Sequence, residues 1–248
     1  MRECTGLKIE TEALITATQD QALDNKCHKA KIPHTTNDPK CRMCKEKDET
    51  IAHIVSACSK IAGSLYKTKH NNVAAAIHHS ICQHYEIKTT DNIWLHEPNP
   101  VAENNKVNVL WDFKIRTDRQ IQAHRPDLVV IDKQMKGLII DVAIPNDTHI
   151  VDKEREKIET YQDLRLEIWR MWNIKARLVP TVIGAPRATN NNLEKQLHEI
   201  LGKNKIPQLA KTEIWQCTHP TSGARSPRVR VRLRGQRKTP TSTQELSE

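Results

Sequence analysis

Apolar residues recur along the chain with two different periods, and the change falls near residue 107. Ile9, Ala13, Ala17 and Leu23, with Leu14 and Ile15 beside them, share one side, and Gly and Pro are absent from Leu7 to Lys31, which predicts a helix over 1–30. Ile61, Leu65, Val73, Ile77, Ile81 and Tyr85 predict a second helix over 61–87. Between them, 33–60 is polar and holds a cluster of Cys and His. Residues 88–106, rich in Pro, Asn and charge, predict a linker. Beyond it Trp111, Phe113, Ile115 and Thr117 alternate with Asp112, Lys114 and Arg116, the period of a half-buried strand. The apolar runs Leu128–Ile131 and Leu138–Ile144 flank a charged turn and predict a hairpin, which Pro145 and Asn146 end. Ile158, Tyr161, Leu164, Ile168 and Met171 then predict one amphipathic helix of about 20 residues. Lys175–Ile183 reads as a last strand, with Pro180 suggesting an edge or a bulge. A further helix is expected over 190–202, and the composition from Thr218 onward is that of disorder. The expected organisation is therefore a helical region over 1–87, a linker over 88–106, an α/β unit over 107–202 and a basic tail over 203–248.

Composition narrows the class. Hydrophobic residues make up 37% and the mean hydropathy is −0.66. The longest apolar run, Leu138–Ile144, is broken by Asp141, whereas a spanning helix needs roughly 20 apolar residues, so no membrane partner is expected. The start of the chain has no apolar signal region. Only nine aromatics are present (five Trp, three Tyr, one Phe), so the core has to be aliphatic, with Trp169 and Trp172 expected inside it and the histidines 78, 79 and 84 in core or on a helix surface. Lys and Arg total 39 against 30 Asp and Glu, a formal charge of +9, and seven of the basic residues lie beyond Ser222 against two acids. That asymmetry suits a polyanionic partner such as nucleic acid, or else a solvated tail that binds nothing specific.

Seven cysteines, an odd number in a chain without an export signal, point to a reduced intracellular compartment, where clustered cysteines bind metal more often than they pair. Cys41, Cys44, His53 and Cys58 stand as C-x2-C-x8-H-x4-C. Four such ligands complete a tetrahedron around zinc and leave no position for water, so the expected ion is structural. Cys27, His28 and His34 lie upstream and are alternative donors for one position.

A second constellation is acidic. Asp127 enters the first strand of the predicted hairpin, and Asp141 interrupts the second, an expensive place for an unpaired carboxylate. Two adjacent carboxylates suit magnesium or manganese, hard cations that take oxygen ligands. The alternative is ordinary: Asp127 as a strand-entry residue and Asp141 as a turn cap. Downstream, Lys153, Lys157, Tyr161 and Leu164 fall at spacings of 4, 4 and 3 on one helix face, which aims Lys157 at the hairpin. The same lysines can instead make i,i+4 pairs with the surrounding Asp152, Glu154, Glu156 and Glu159. In the tail, Arg228, Arg230, Arg232 and Arg234 alternate with aliphatics, so a strand would set every guanidinium on one face toward phosphates.

Arg125-Pro126-Asp127 followed by Leu128, Val129 and Val130, then Ile140-Asp141-Val142, then Lys153 through Lys157 to Tyr161 and Leu164, resembles the restriction-like endonuclease at the C-terminal end of site-specific non-LTR retrotransposon polyproteins. In that family a C-x2-C…H-x4-C knuckle precedes the nuclease, as Cys41–Cys58 does here, and the stretch Ala17–Leu23 and Trp111-Asp112-Phe113 are also similar to it. The resemblance covers roughly residues 10–185. It implies a PD-(D/E)xK restriction-endonuclease-like mixed sheet with flanking helices, preceded by a zinc knuckle. It implies a nucleus-located endonuclease that uses Mg2+ or Mn2+, with Asp127 and Asp141 as metal ligands and Lys157 as catalyst. It also implies DNA contacts by Arg125 and Lys153, RNA of the element as a further partner, and nicking that exposes a 3′-hydroxyl for a reverse transcriptase portion absent from this sequence. The chain departs from the general pattern at Ala143, where a lysine usually stands two residues after the second acid; Lys157 matches the variant with its lysine on the following helix. The alternative expectation is a catalytically inactive nucleic-acid-binding remnant.

Overall fold

The computed structural model describes residues 17, 22–134, 136–145, 149–184 and 195. The chain is mixed α/β. Its sheet runs β1 (Val101–Glu103), β2 (Val107–Trp111), β3 (Leu128–Asp132), β4 (Lys136–Ala143) and β5 (Lys175–Val182), in that spatial order. The first four strands pair antiparallel, and β5 lies parallel to β4. A parallel pair needs a long crossover. Here it is made by α3 (Ile150–Thr160) and α4 (Gln162–Trp172), while α1 (Lys26–Lys31) and α2 (Ala62–His84) precede the sheet. No helix among the described residues is long and apolar enough to cross a membrane.

The central strands are covered on both faces, which is why β3 and β4 read as nearly unbroken apolar runs. On one face Val73, Ile77 and Ile81 of α2 pack with Val109, Leu128, Val130, Ile140 and Val142. On the other, Val129 and Ile139 pack with Tyr161, Leu164 and Ile168 of the crossover. The sequence boundary after residue 87 therefore divides residues that share one core. The spacing of Val73, Ile77 and Ile81 puts them on one side of α2, and burial of that stripe, at about 1.5–3 kcal/mol per large aliphatic side chain, holds the helix on the sheet. Glu86, with a positive φ of 60°, ends it.

Several expectations differ from the structure. The segment 88–106 is not all linker: Ala102 of β1 is buried, and Asn104 shapes the β1–β2 turn by accepting the Lys106 and Val107 N–H groups. The predicted strand over 111–117 ends at Trp111, because Asp112 turns to a φ of 46° and its N–H donates to the Asp127 carbonyl. The true alternation lies earlier, at Val107 and Val109. The crossover is two 11-residue helices and not one, broken at Tyr161, whose hydroxyl is drawn into the sheet face. Trp169 and Trp172 lie on the outer side of α4, 53% and 36% exposed, because Leu164 and Ile168 fill the inner stripe. His78 and His79 are buried. Most of the helix expected over 1–30, that over 190–202 and the basic tail lie outside the described residues.

Upstream of the sheet, α1 is tied to the Cys/His loop by one buried carboxylate. Glu49 accepts from the Lys26 N–H at 3.0 Å, the Arg42 N–H at 2.8 Å, and Arg42 Nε and Nη2 at 2.9 and 2.6 Å. Burial acts to raise its pKa, but the Arg42 bonds outweigh burial and bring the carboxyl from 4.5 to about 2. Glu49 thus contributes stability that is complete above about pH 4.5 and is lost as the pH falls toward about 2. Glu49→Gln is expected to cost about 1–3 kcal/mol at pH 7. Urea unfolding at a series of pH values should show the gap to the native chain closing through that acid window.

Candidate functional site

The Cys/His loop begins at an isolated bridge between Lys40 and Asp48. Cys41 N–H donates to the Lys47 carbonyl, and Lys45 N–H to the Cys41 carbonyl, both at 2.8 Å, with Lys45 in the left-handed region at φ 59°. That tight turn brings Cys41 and Cys44 to one side. Thr50 Oγ1 then accepts the His53 N–H at 3.1 Å and starts the helical turn that delivers His53, with Cys58 just beyond His53–Ala57. All four residues are buried, and their donor atoms lie within 4.8 Å of one another. Cys44 Sγ is 3.2 Å from His53 Nε2, and Cys41 Sγ is 3.9 Å from Cys58 Sγ. The backbone N–H groups of Lys47 and Glu46 lower the Cys44 thiol to about 6, favouring the thiolate that a metal takes, while burial pushes Cys58 up. Three sulfurs and one imidazole nitrogen at this separation can hold a metal such as zinc. Cys27, His28 and His34, the alternative donors, are not among the converging four.

The acidic pair sits where β3 begins and β4 nears its end. Continuing the β3–β4 register by one residue sets Asp127 opposite Asp141. Asp141 is 5% exposed, on the face covered by the crossover. Tyr161 donates its hydroxyl to Asp141 Oδ1 at 2.8 Å, and Lys157 Nζ lies 2.5 Å from Oδ2, which has no further partner among the described residues. Burial and the neighbouring Asp127 charge raise the Asp141 carboxyl above the usual range, against the lowering by Lys157 and Tyr161. For Lys157, burial pulls the ammonium down, and Asp141 and Asp127 more than offset it. Burial and Asp141 also keep the Tyr161 phenol protonated. For Asp141, burial and the Asp127 charge thus outweigh the two partners that favour its ionised form.

Asp127 faces the other way as well. Its Oδ2 accepts the Val142 N–H at 2.6 Å and meets His70 Nε2 at 3.2 Å. The residue borders a cleft of about 430 Å³ whose other walls include Tyr66, Lys67, His70 and Asn71 of α2, with Trp111 and Asp112. Sequence reading missed this wall. Its only local sign was the aromatic pair Tyr66 and His70 one turn apart, ring centroids 5.9 Å from each other.

Of the residues expected to contact DNA, Arg125 is exposed and pairs with Asp112 at 2.7 Å. Lys153 is spent on Glu156, also at 2.7 Å, an i,i+3 pair where the ordinary reading expected i,i+4. Arg228, Arg230, Arg232 and Arg234 lie outside the described residues. Asp127, Asp141 and Lys157 converge, and Tyr161, which sequence alone gave a packing role, adds a hydrogen bond. No known family model matches the chain, and comparison with curated proteins finds no match.

The metal-binding reading of the cluster is checked by elemental analysis. The purified chain should carry one zinc, and Cys44→Ser should lose most of it with partial unfolding of the loop.

Proposed function

We propose that this chain is a metal-dependent DNA endonuclease domain of the restriction-like, PD-(D/E)xK kind, related to the C-terminal region of non-LTR retrotransposon polyproteins. In this reading the Cys41–Cys44–His53–Cys58 cluster is a structural zinc knuckle. The observation that carries it is the group of Asp127, buried Asp141 and half-buried Lys157, with an ammonium directly on the second acid and the first acid bordering a cleft. A half-buried lysine set from the crossover helix onto a buried carboxylate loses part of its hydration, and phosphodiester chemistry makes use of both signs.

The donor set fits a hard divalent cation: two carboxylates on neighbouring strands, opposite each other in register, one Asp141 oxygen meeting only Lys157 among the described residues. Mg2+ or Mn2+ bound there by Asp127 and Asp141 supplies a water of lowered pKa and offsets charge on the phosphate. The chain's own residues do the rest. Tyr161 fixes Asp141 by its hydroxyl, and Lys157 provides a fixed positive charge for the phosphorane as it forms. Arg125 at the mouth and the arginine-rich tail track the DNA backbone without reading its sequence. A DNA target, element RNA, a reverse transcriptase portion and work in the nucleus belong to the same reading.

The experiment is nicking of supercoiled plasmid by the purified chain with Mg2+ or Mn2+. Nicking is expected with the native chain, to vanish in Asp127→Ala/Asp141→Ala, and to fall about 100–1000-fold in Lys157→Met. DNA bound with equal affinity by all three and nicked by none would replace the nuclease with the inactive nucleic-acid-binding remnant.

A further inference from the structure

The acids and the lysine come from the sheet and the crossover, yet a side chain of α2 also reaches the Asp127 carboxylate. His70 Nε2 stands 3.1 Å from the Val142 carbonyl oxygen and 3.2 Å from Asp127 Oδ2. Both neighbours are acceptors, so Nε2 carries a proton and shares it between them. Asp127 Oδ2 then receives two donors, the His70 ring and the Val142 N–H. Oδ1 has no hydrogen bond or ion pair among the described residues, and the residue borders the cleft. A carboxylate held by one oxygen and free at the other has its open oxygen aimed by the donors on the first.

We infer that His70 is a positioning residue of the nuclease site: it turns Asp127 so that Oδ1 faces the cleft as a metal-binding oxygen, and makes α2 a working wall of the centre. This rests on the nuclease reading above. Supporting groups that orient metal-binding side chains change metal affinity or activity by about 10–100-fold when removed. The ring is itself held: it stacks on Tyr66, and its side chain is only about one-fifth exposed. The consequence is architectural. The helix that follows directly on the Cys/His loop supplies the group that sets the first acid, so loop and acidic centre are joined through one rigid element.

The test uses the full zinc-loaded chain and three variants. His70→Phe keeps the ring volume and removes the donor; His70→Gln keeps a donor near the Nε2 position; His70→Ala removes both. Mn2+ affinity is read by the electron paramagnetic resonance of free Mn2+, nicking on supercoiled plasmid, and folding by urea unfolding without divalent metal. The Phe and Ala variants are expected to weaken Mn2+ binding and slow nicking by about 10–100-fold, and Gln to restore most of both. Native Mn2+ affinity in His70→Phe overturns the inference, as does a folded His70→Gln no better than His70→Phe. A native chain that binds Mn2+ but does not nick removes the nuclease reading, while the Mn2+ comparison still decides the role of His70. A native chain that binds no Mn2+ overturns both.

Discussion

A carboxylate in the middle of a covered strand sets the terms for the rest of the molecule. Asp141 lies between Ile140 and Val142, both fully buried, and taking its charge out of water costs several kcal/mol before any partner is counted. The chain meets that cost from the crossover. Tyr161 and Lys157 reach one oxygen each, and Tyr161 stands where the helical segment divides into α3 and α4. The parallel placement of β5 follows from the same segment, since the two helices span the sheet face and return the chain beside β4. Pro180 stands in register with Asp141 on β5, where an edge strand can lack an N–H. Fold and site are thus the same set of contacts seen at two scales.

The opposite face has a separate logic. There α2 is held by aliphatic burial along Val73, Ile77 and Ile81, and its first half projects past the apolar stripe to line the cleft with Tyr66, Lys67, His70 and Asn71. Hydrophobic packing is non-directional and suits the task of docking a helix. The polar first half then meets the sheet at the one place where strand ends leave carboxylates within reach. The Cys/His loop, with its Glu49 clamp, sits immediately before this helix and fixes how it begins.

The readability of these features follows from how local their causes are. The β3–β4 hairpin was legible because two apolar runs and a charged turn are a short-range signal. Asp141 stood out because a charge inside such a run is costly wherever the strand packs. The meeting with Lys157 followed from helix geometry, which carries a residue four positions before Tyr161 to the same face. The Cys/His cluster was legible from ligand spacing. What the pattern concealed were decisions made by distant residues. The strand placed at 111–117 fails at Asp112, whose left-handed turn is set by a bond to Asp127, and β1 hides in a polar stretch because only Ala102 is buried. His70 carried no sign of its place, since nothing near it in sequence reports which strand end α2 will cover. The break at Tyr161 was invisible for the same reason: the spacing of apolar residues is that of a continuous helix.

A buried pair kept for chemistry and one kept for structure behave differently when both partners are replaced by apolar residues of similar size. Such replacement of a buried ion pair is often neutral or stabilising by about 1–4 kcal/mol, because the desolvation cost is removed along with the attraction. The measurement that bears most directly on the central claim is therefore urea unfolding of Asp141→Leu/Lys157→Met beside a nicking assay of the same protein. Stability equal to or above that of the native chain, with metal-dependent nicking gone, is the expected result. A folded double variant that still nicks, or a loss of about 3 kcal/mol or more in a native chain that never nicked, would make the pair a structural element and contradict the account.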